Sequence, residues 1–255
     1  MSDVVLPHGL HGEGPEHVVA LHGWLSDRHA FDALLPLIDH DRFTYAIPDV
    51  RGYGEAADVA GDFTLDEVAQ DVLRLADHLG WDSFSVVGHS MGGKAAQLVL
   101  VNEPERIRKL VGISPVPAAE VPFDEAGAKL FHDAVSTPAN RRAIIDMGTG
   151  QRYHHVWLDK MVEHSVARST PAAFARYLDS WSGVDFHHEV IGLTTPVKVI
   201  IGAHDPDING DVMRATFLEW LPNCELETIA DAGHYAIDET PVLLAASLHA
   251  FLAAQ

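Results

Sequence analysis

The sequence predicts an α/β protein: a doubly wound, mostly parallel sheet that carries a helical insertion. Three observations predict it. Short β-rich runs alternate with helical stretches from Val18 to Ser114 and again from Val197 to Leu252, the order required when crossover helices join parallel strands. Between Pro115 and Ile191 helical spacing continues without a convincing strand, which reads as an insertion lying over the sheet. One strand-to-helix junction, Gly88 to Gly93, sets a serine among glycines. Residues 1–114 and 192–255 are therefore assigned to the core, and residues 115–191 to a helical cap insertion.

Each element has a local reason. Val18 to Leu21 is an unbroken apolar run ending at His22-Gly23, as a buried strand entering a loop would be. Phe31 to Ile38 is expected to be helical. Phe43 to Ile47 is the next strand, closed by Pro48-Asp49 and the turn-rich Arg51-Gly52-Tyr53-Gly54. Apolar residues then recur at Leu65, Val68, Val72, Leu75, Ala76 and Leu79, the spacing of an amphipathic helix. Thr64 and Glu67 form a capping box at its start, and Gly80 can end it. Phe84 to Val87 reads as a strand, Gly92 to Val101 as a helix and Leu110 to Ile113 as a strand. In the insertion, helices are expected over Glu125–Val135, Asn140–Met147, Val156–Ala167 and Ala172–Trp181. The closing series is a strand at Val197–Ile201, a helix near Val212–Trp220, a strand at Leu226–Ile229 and a helix over Pro241–Leu252.

Composition narrows the class of function. The 255 residues suffice for one large domain with a substantial core. The 37 Asp and Glu outnumber the 17 Lys and Arg, a field that repels phosphate backbones and anionic lipid. Nucleic acid and membrane surfaces are thus not expected partners; a small-molecule substrate is. No apolar run is long enough for a bilayer span, and the opening Met1 to His8 has no signal-peptide pattern. Cys224 is the only cysteine, which suits a reducing cytoplasm, and it is expected to be a small buried residue of a strand. His154-His155 and His187-His188 fit no metal-ligand spacing, so no metal or other cofactor is expected.

Gly88-His89-Ser90-Met91-Gly92 has the G-x-S-x-G pattern between a strand and a helix. That turn is so tight that side chains flanking the serine would collide, and Gly88 and Gly92 remove the collision. The following helix points its N-terminus at Ser90, where free N–H groups favour negative charge. With His22-Gly23-Trp24, Asp49 to Gly54, Gly202 to Pro206 and Ala232-Gly233-His234, this stretch resembles the α/β-hydrolase superfamily, particularly its single-domain esterases and lipase-like members, from about Val18 to Leu252. One departure is Glu55-Ala56, where such proteins usually carry a serine.

The resemblance implies Ser90 as nucleophile, His234 as general base and Asp205 as the carboxylate that orients it, in the chain order of this fold. Asp207 competes with Asp205 from two positions on; Asp231 reads as a turn residue. His89 and His22 are expected to anchor loops rather than transfer protons. The oxyanion hole implied is the pair of backbone N–H groups of Trp24 and Met91, and the Trp24 side chain either lines the acyl pocket or packs on the cap.

Ester hydrolysis is the leading expectation. A C–C bond hydrolase and a lactonase use the same residues and remain alternatives, as does a non-catalytic ligand receptor on the same fold. Haloalkane dehalogenase chemistry needs a carboxylate where this chain has Ser90. The insertion holds Phe123, Phe131, Trp157, Phe174 and Trp181 among many apolar residues, more than a cap's outer face can use, which points to a neutral, apolar substrate. Arg141, Arg142, Arg152, Lys160, Arg168 and Arg176 are spaced as if on the solvent side of its helices.

Overall fold

The computed structural model describes residues 4–254, so the first three residues of the N-terminal stretch read above lie outside the described residues. Its centre is a seven-stranded sheet made of β1 (His8–His11), β2 (Glu16–Leu21), β3 (Phe43–Pro48), β4 (Phe84–His89), β5 (Ile107–Ile113), β6 (Val197–Gly202) and β7 (Cys224–Ile229). The spatial order is β1-β3-β2-β4-β5-β6-β7. All neighbours run parallel except β1, which pairs antiparallel to β3 with His8 opposite Pro48. This is the predicted fold class. Cys224 opens the edge strand β7 and is only partly buried.

Alternation along the strands divides the core. Val19 and Leu21 of β2 and Val86 of β4 join the apolar layer that also holds Leu75 and Val99. Their neighbours Val18, Ala20 and Val87 face the opposite layer, with Leu244 and Leu248. Successive side chains point to opposite faces, so a strand covered by helices on both sides must be apolar throughout. The first layer is supplied by α1 (Leu65–His78) and α2 (Met91–Asn102), the second by α11 (Pro241–Ala253).

Local chemistry explains the departures. Short and half-buried, β1 carries no apolar alternation and gave no signal. Over 31–38 there is no α-helix, only 3-10 turns at Arg28–Phe31 and Leu35–Leu37; Pro36 has no N–H to donate and its ring would clash one turn back. The helix expected near Val212–Trp220 is two, α8 (Gly210–Ala215) and α9 (Phe217–Trp220). They break at Thr216, whose hydroxyl bonds back to Val212 O at 2.6 Å and competes with the helix ladder. The capping box of α1 is half formed. Thr64 accepts from Glu67 N at 3.2 Å, but the Glu67 carboxylate accepts from Phe63 N instead.

Between β5 and β6 lie α3 (Glu125–Asp133), α4 (Pro138–Gly148), α5 (His155–Arg168), α6 (Pro171–Gly183) and α7 (His187–Val190). Polar contacts tie them to the sheet. The fully buried Lys94 of α2 gives its ammonium to Ala119 O, Trp181 O and Val184 O at 2.6–2.9 Å, gripping both ends of the insertion. Buried Asp27 takes His164 Nε2 at 2.8 Å and Arg168 Nε at 2.5 Å from α5. The basic residues are not uniformly on the solvent side. Arg141 is buried, bonding Ala134 O and Ser165 O and lying 3.6 Å over the Phe174 ring. Ala134 O caps α3 and Ser165 O lies in the last turn of α5, where Ser169 Oγ also donates to it at 2.7 Å, so a five-donor side chain that reaches acceptors at both helix ends is drawn inward. Arg168 and Arg152 also turn to buried carboxylates, Asp27 and Glu239. Among the described residues no helix is long and apolar enough to cross a membrane.

Candidate active site

β4 ends at His89 and α2 begins at Met91, so Ser90 occupies the turn alone at φ 54°, ψ −116°. Such a conformation is strained for a residue with a Cβ and persists only when its surroundings enforce it. They do: a Cβ on Gly88 would stand 2.3 Å from Gly92 O, so the two arms of the turn touch backbone to backbone. The Ser90 hydroxyl lies 2.9 Å from His234 Nε2, and His234 Nδ1 lies 2.6 Å from Asp205 Oδ2. A carboxylate only accepts, so Nδ1 carries the proton and Nε2 is free to take the one on Ser90.

Three loops at the C-terminal ends of β4, β6 and β7 bring these residues together. Asp205 is buried, and its second oxygen accepts from Asp207 N and Ile208 N at 3.1 and 3.0 Å. Burial disfavours its charge, but His234 and those two N–H groups outweigh burial and leave its pKa below the ordinary carboxylate value. Burial likewise opposes charge on His234; Asp205, then Asp207 and Glu239, outweigh it and raise the imidazole above its usual value. Asp207 makes no contact of this kind. Burial and the neighbouring Asp205 push its carboxyl upward.

The loop after β2 lies against the elbow. A Cβ on Gly23 would fall 2.8 Å from His89 Nδ1 and 3.3 Å from Ser90 Cβ. The Trp24 N–H has no acceptor among the described residues. Met91 N–H begins α2 and so lacks an intrahelical acceptor. His22 braces this loop as expected: Nδ1–H donates to Gly23 O at 2.9 Å and Nε2 accepts from Val50 N at 3.1 Å. His89 is also an anchor, donating from Nε2 to His234 O at 2.9 Å, and burial lowers its pKa to about 3. Trp24 does both things expected of it. Its indole stacks on Phe174 at 3.9 Å and donates to Phe174 O at 2.8 Å, and it lines the cavity above Ser90.

That cavity has a volume of about 910 Å³. From the insertion come Phe123, Leu130, Phe131, Ile144, Met147 and Trp181, whereas Phe174, Tyr177 and Leu178 are fully buried away from it. Its charged lining is acidic, Glu120, Asp124, Asp205 and Asp207, with no lysine or arginine among the described residues. Among the described residues no group of three or more His, Cys, Asp or Glu is placed to hold a metal. Within His154-His155 and His187-His188 the two rings lie against each other at a tilt, with centroids 4.0 and 3.9 Å apart. Glu239, next to the His234 loop, has no motif or period to mark it, and Arg152, expected on the solvent side, instead reaches its carboxylate at 3.2 Å.

This combination of sheet, elbow and loops defines an α/β hydrolase. A family model described as alpha/beta hydrolase fold matches residues 16–241, and the chain belongs to that family. It is 26% identical over 204 residues to 3-oxoadipate enol-lactonase 2 of Acinetobacter baylyi, covering 79% of this chain and 75% of that one. It is 29% identical over 209 residues to a pimeloyl-[acyl-carrier protein] methyl ester esterase of Klebsiella pneumoniae, covering 76% and 77%. The structure of an esterase from Exiguobacterium antarcticum superposes with a TM-score of 0.86 at 17% identity, covering 97% of this chain and 95% of that one.

Proposed function

We propose that the chain is a serine hydrolase of neutral carboxyl esters. The observation that carries this is the continuous chain Ser90 Oγ–His234–Asp205, with separations of 2.9 and 2.6 Å. In this reading Ser90 Oγ attacks the ester carbonyl while His234 Nε2 takes its proton. Asp205 holds the imidazole in the working tautomer and stabilises the imidazolium. The oxyanion rests on the N–H groups of Trp24 and Met91, donors of a kind typically worth ~3 kcal/mol of barrier each. His234 returns the proton to the leaving alcohol, giving an acyl-enzyme. Water, deprotonated by the same imidazole, then releases the acid and regenerates Ser90.

The helical insertion acts as a cap over the cavity, and its aromatic wall suits hydrocarbon. The acidic lining disfavours anionic substrates, and with them the doubly charged ring-fission products of a C–C hydrolase. A lactonase reading keeps support from the Acinetobacter baylyi relative, since a lactone is an internal ester opened by the same steps. The partner is a small molecule rather than nucleic acid or a membrane surface, in keeping with the formal charge of −20, and the single thiol suits the cytoplasm.

The test is catalytic efficiency on uncharged alkyl esters, neutral lactones and anionic vinylogous diketones at equal salt. Alkyl esters should be turned over best. Preference for lactones would substitute the lactonase, preference for diketones would establish the C–C hydrolase, and binding without turnover of any would establish a receptor.

A further inference from the structure

The backbone around His234 is held by a second carboxylate. Glu239 belongs to the short helix α10 (Ala236–Glu239), and its side chain is wholly buried. Its Oε2 accepts from Gly233 N at 2.8 Å and its Oε1 from Tyr235 N at 2.9 Å. One carboxylate therefore grips the N–H on each side of His234. The backbone groups of His234 itself are taken too: His234 N donates to Gly148 O at 2.8 Å, and His234 O accepts from His89. Across from this fork stands Arg152, from the segment between α4 and α5. It reaches Glu239 Oε2 at 3.2 Å and Asp231 O at 2.7 Å.

We propose that Glu239 is the positioning residue of His234, and that Arg152 makes this positioning depend on the insertion. The proposal rests on the reading of His234 as general base. A carboxylate is the right group here because two N–H donors converge on it and both of its oxygens accept. An amide would satisfy one donor and turn its own NH2 toward the other. A loop fixed in this way keeps Nδ1 on Asp205 and Nε2 on Ser90 through the cycle, where a displacement of about 1 Å can cost about a hundredfold in rate. The arrangement also has an electrostatic side. The titratable groups facing His234 are Asp205 and Asp207 from the loop after β6, His89 from the elbow, Tyr235, whose ring stands edge-on at 5.1 Å, and Glu239 from α10, with Arg152 behind Glu239. Of these, the three carboxylates favour the imidazolium.

The experiment compares the full chain with Glu239→Gln, Glu239→Ala and Arg152→Ala in three measurements. Steady-state kinetics on a neutral chromogenic ester are normalised to the fraction of sites labelled by a serine-directed phosphonate. The His234 titration is followed by NMR, its ring signal assigned by difference from His234→Gln. Thermal unfolding reports stability. For Glu239→Gln, kcat per labelled site should fall about tenfold to a hundredfold with KM little changed. The His234 midpoint should move to lower pH, because a negative charge has been removed. Glu239→Ala should be worse in kcat, and Arg152→Ala milder. An unmoved His234 midpoint in Glu239→Gln, or an activity loss fully accounted for by fewer labelled sites, would overturn the proposal. The NMR titration needs no substrate, so it still decides the matter if the chain hydrolyses no ester and the reading of its function fails instead.

Discussion

The elbow and the helical insertion are held by different physics. At the elbow the constraint is steric: Gly88 leaves no room for a Cβ, and Ser90 is forced to φ 54° by backbone contact. The insertion is held by long polar side chains: Lys94 across its two ends, Asp27 with His164 and Arg168, and Arg152 on Glu239. Contact between backbones is indifferent to salt and pH, whereas ion pairs and buried donors depend on charge and on each partner being present. In the proposed mechanism the reacting groups therefore sit in the rigid part, and access to them would be governed by the part built from replaceable contacts. Changes at the elbow should act on kcat and changes at the insertion's other anchors on KM, with Arg152 the exception, because through Glu239 it reaches the His234 loop.

The largest effect expected is that of Ser90→Ala, a loss of at least about a thousandfold in ester turnover with thermal stability little changed. Kinetics with calorimetry checks both halves, and robust hydrolysis by the variant would remove the elbow from the chemistry. Next come Asp205→Asn and Asp207→Asn. The first should cost up to about ten-thousandfold, because only Asp205 meets His234 Nδ1; the second should cost less than about tenfold. The reverse order would move the orienting carboxylate two positions along the chain. On acidification, wild-type kcat/KM should fall with a midpoint above the ordinary imidazole value of about 6.5, since the free base is needed and its proton is held more tightly than usual. A midpoint below that value would contradict the role given to Asp205.

In the insertion the expected effects are smaller and of another kind. Lys94→Met strands three carbonyls, Ala119 O, Trp181 O and Val184 O, at a cost of about 1–3 kcal/mol for each left unsatisfied. It should raise KM more than it lowers kcat and make the insertion more sensitive to limited proteolysis. A pure kcat loss would mean that insertion and elbow are not separable. Phe131→Ala should reduce kcat/KM for long-chain acyl esters by about tenfold, through lost apolar contact in the cavity, and leave acetyl esters nearly unchanged. Equal losses on both would place the hydrocarbon elsewhere.

The chain legible from its sequence was the one written in short-range patterns. Alternation of strands and helices carried the sheet, because a strand buried on both faces has to be apolar along its length, as Val18 to Leu21 is. Gly88-His89-Ser90-Met91-Gly92 carried the elbow, because that turn is closed by residues adjacent in sequence. The placing of Ser90, Asp205 and His234 came from family pattern, and their separations of 2.9 and 2.6 Å required the loops after three strands to meet at one sheet edge. Other features had no local signature. The four residues of β1 are a strand only because β3 offers them an edge. Arg141 has the spacing of a solvent-facing residue and is buried, because the ends of α3 and α5 bring carbonyl acceptors to it. Glu239 lies five positions beyond His234, and nothing in that interval says that its two oxygens will meet the N–H groups on either side. Sequence by itself determined what a few neighbouring residues can do alone: alternate, cap, turn, or crowd a serine out of a strand. Tertiary structure decided which distant side chains met, because a long side chain goes where unsatisfied donors, acceptors and charges are waiting, and those positions exist only once the chain has folded.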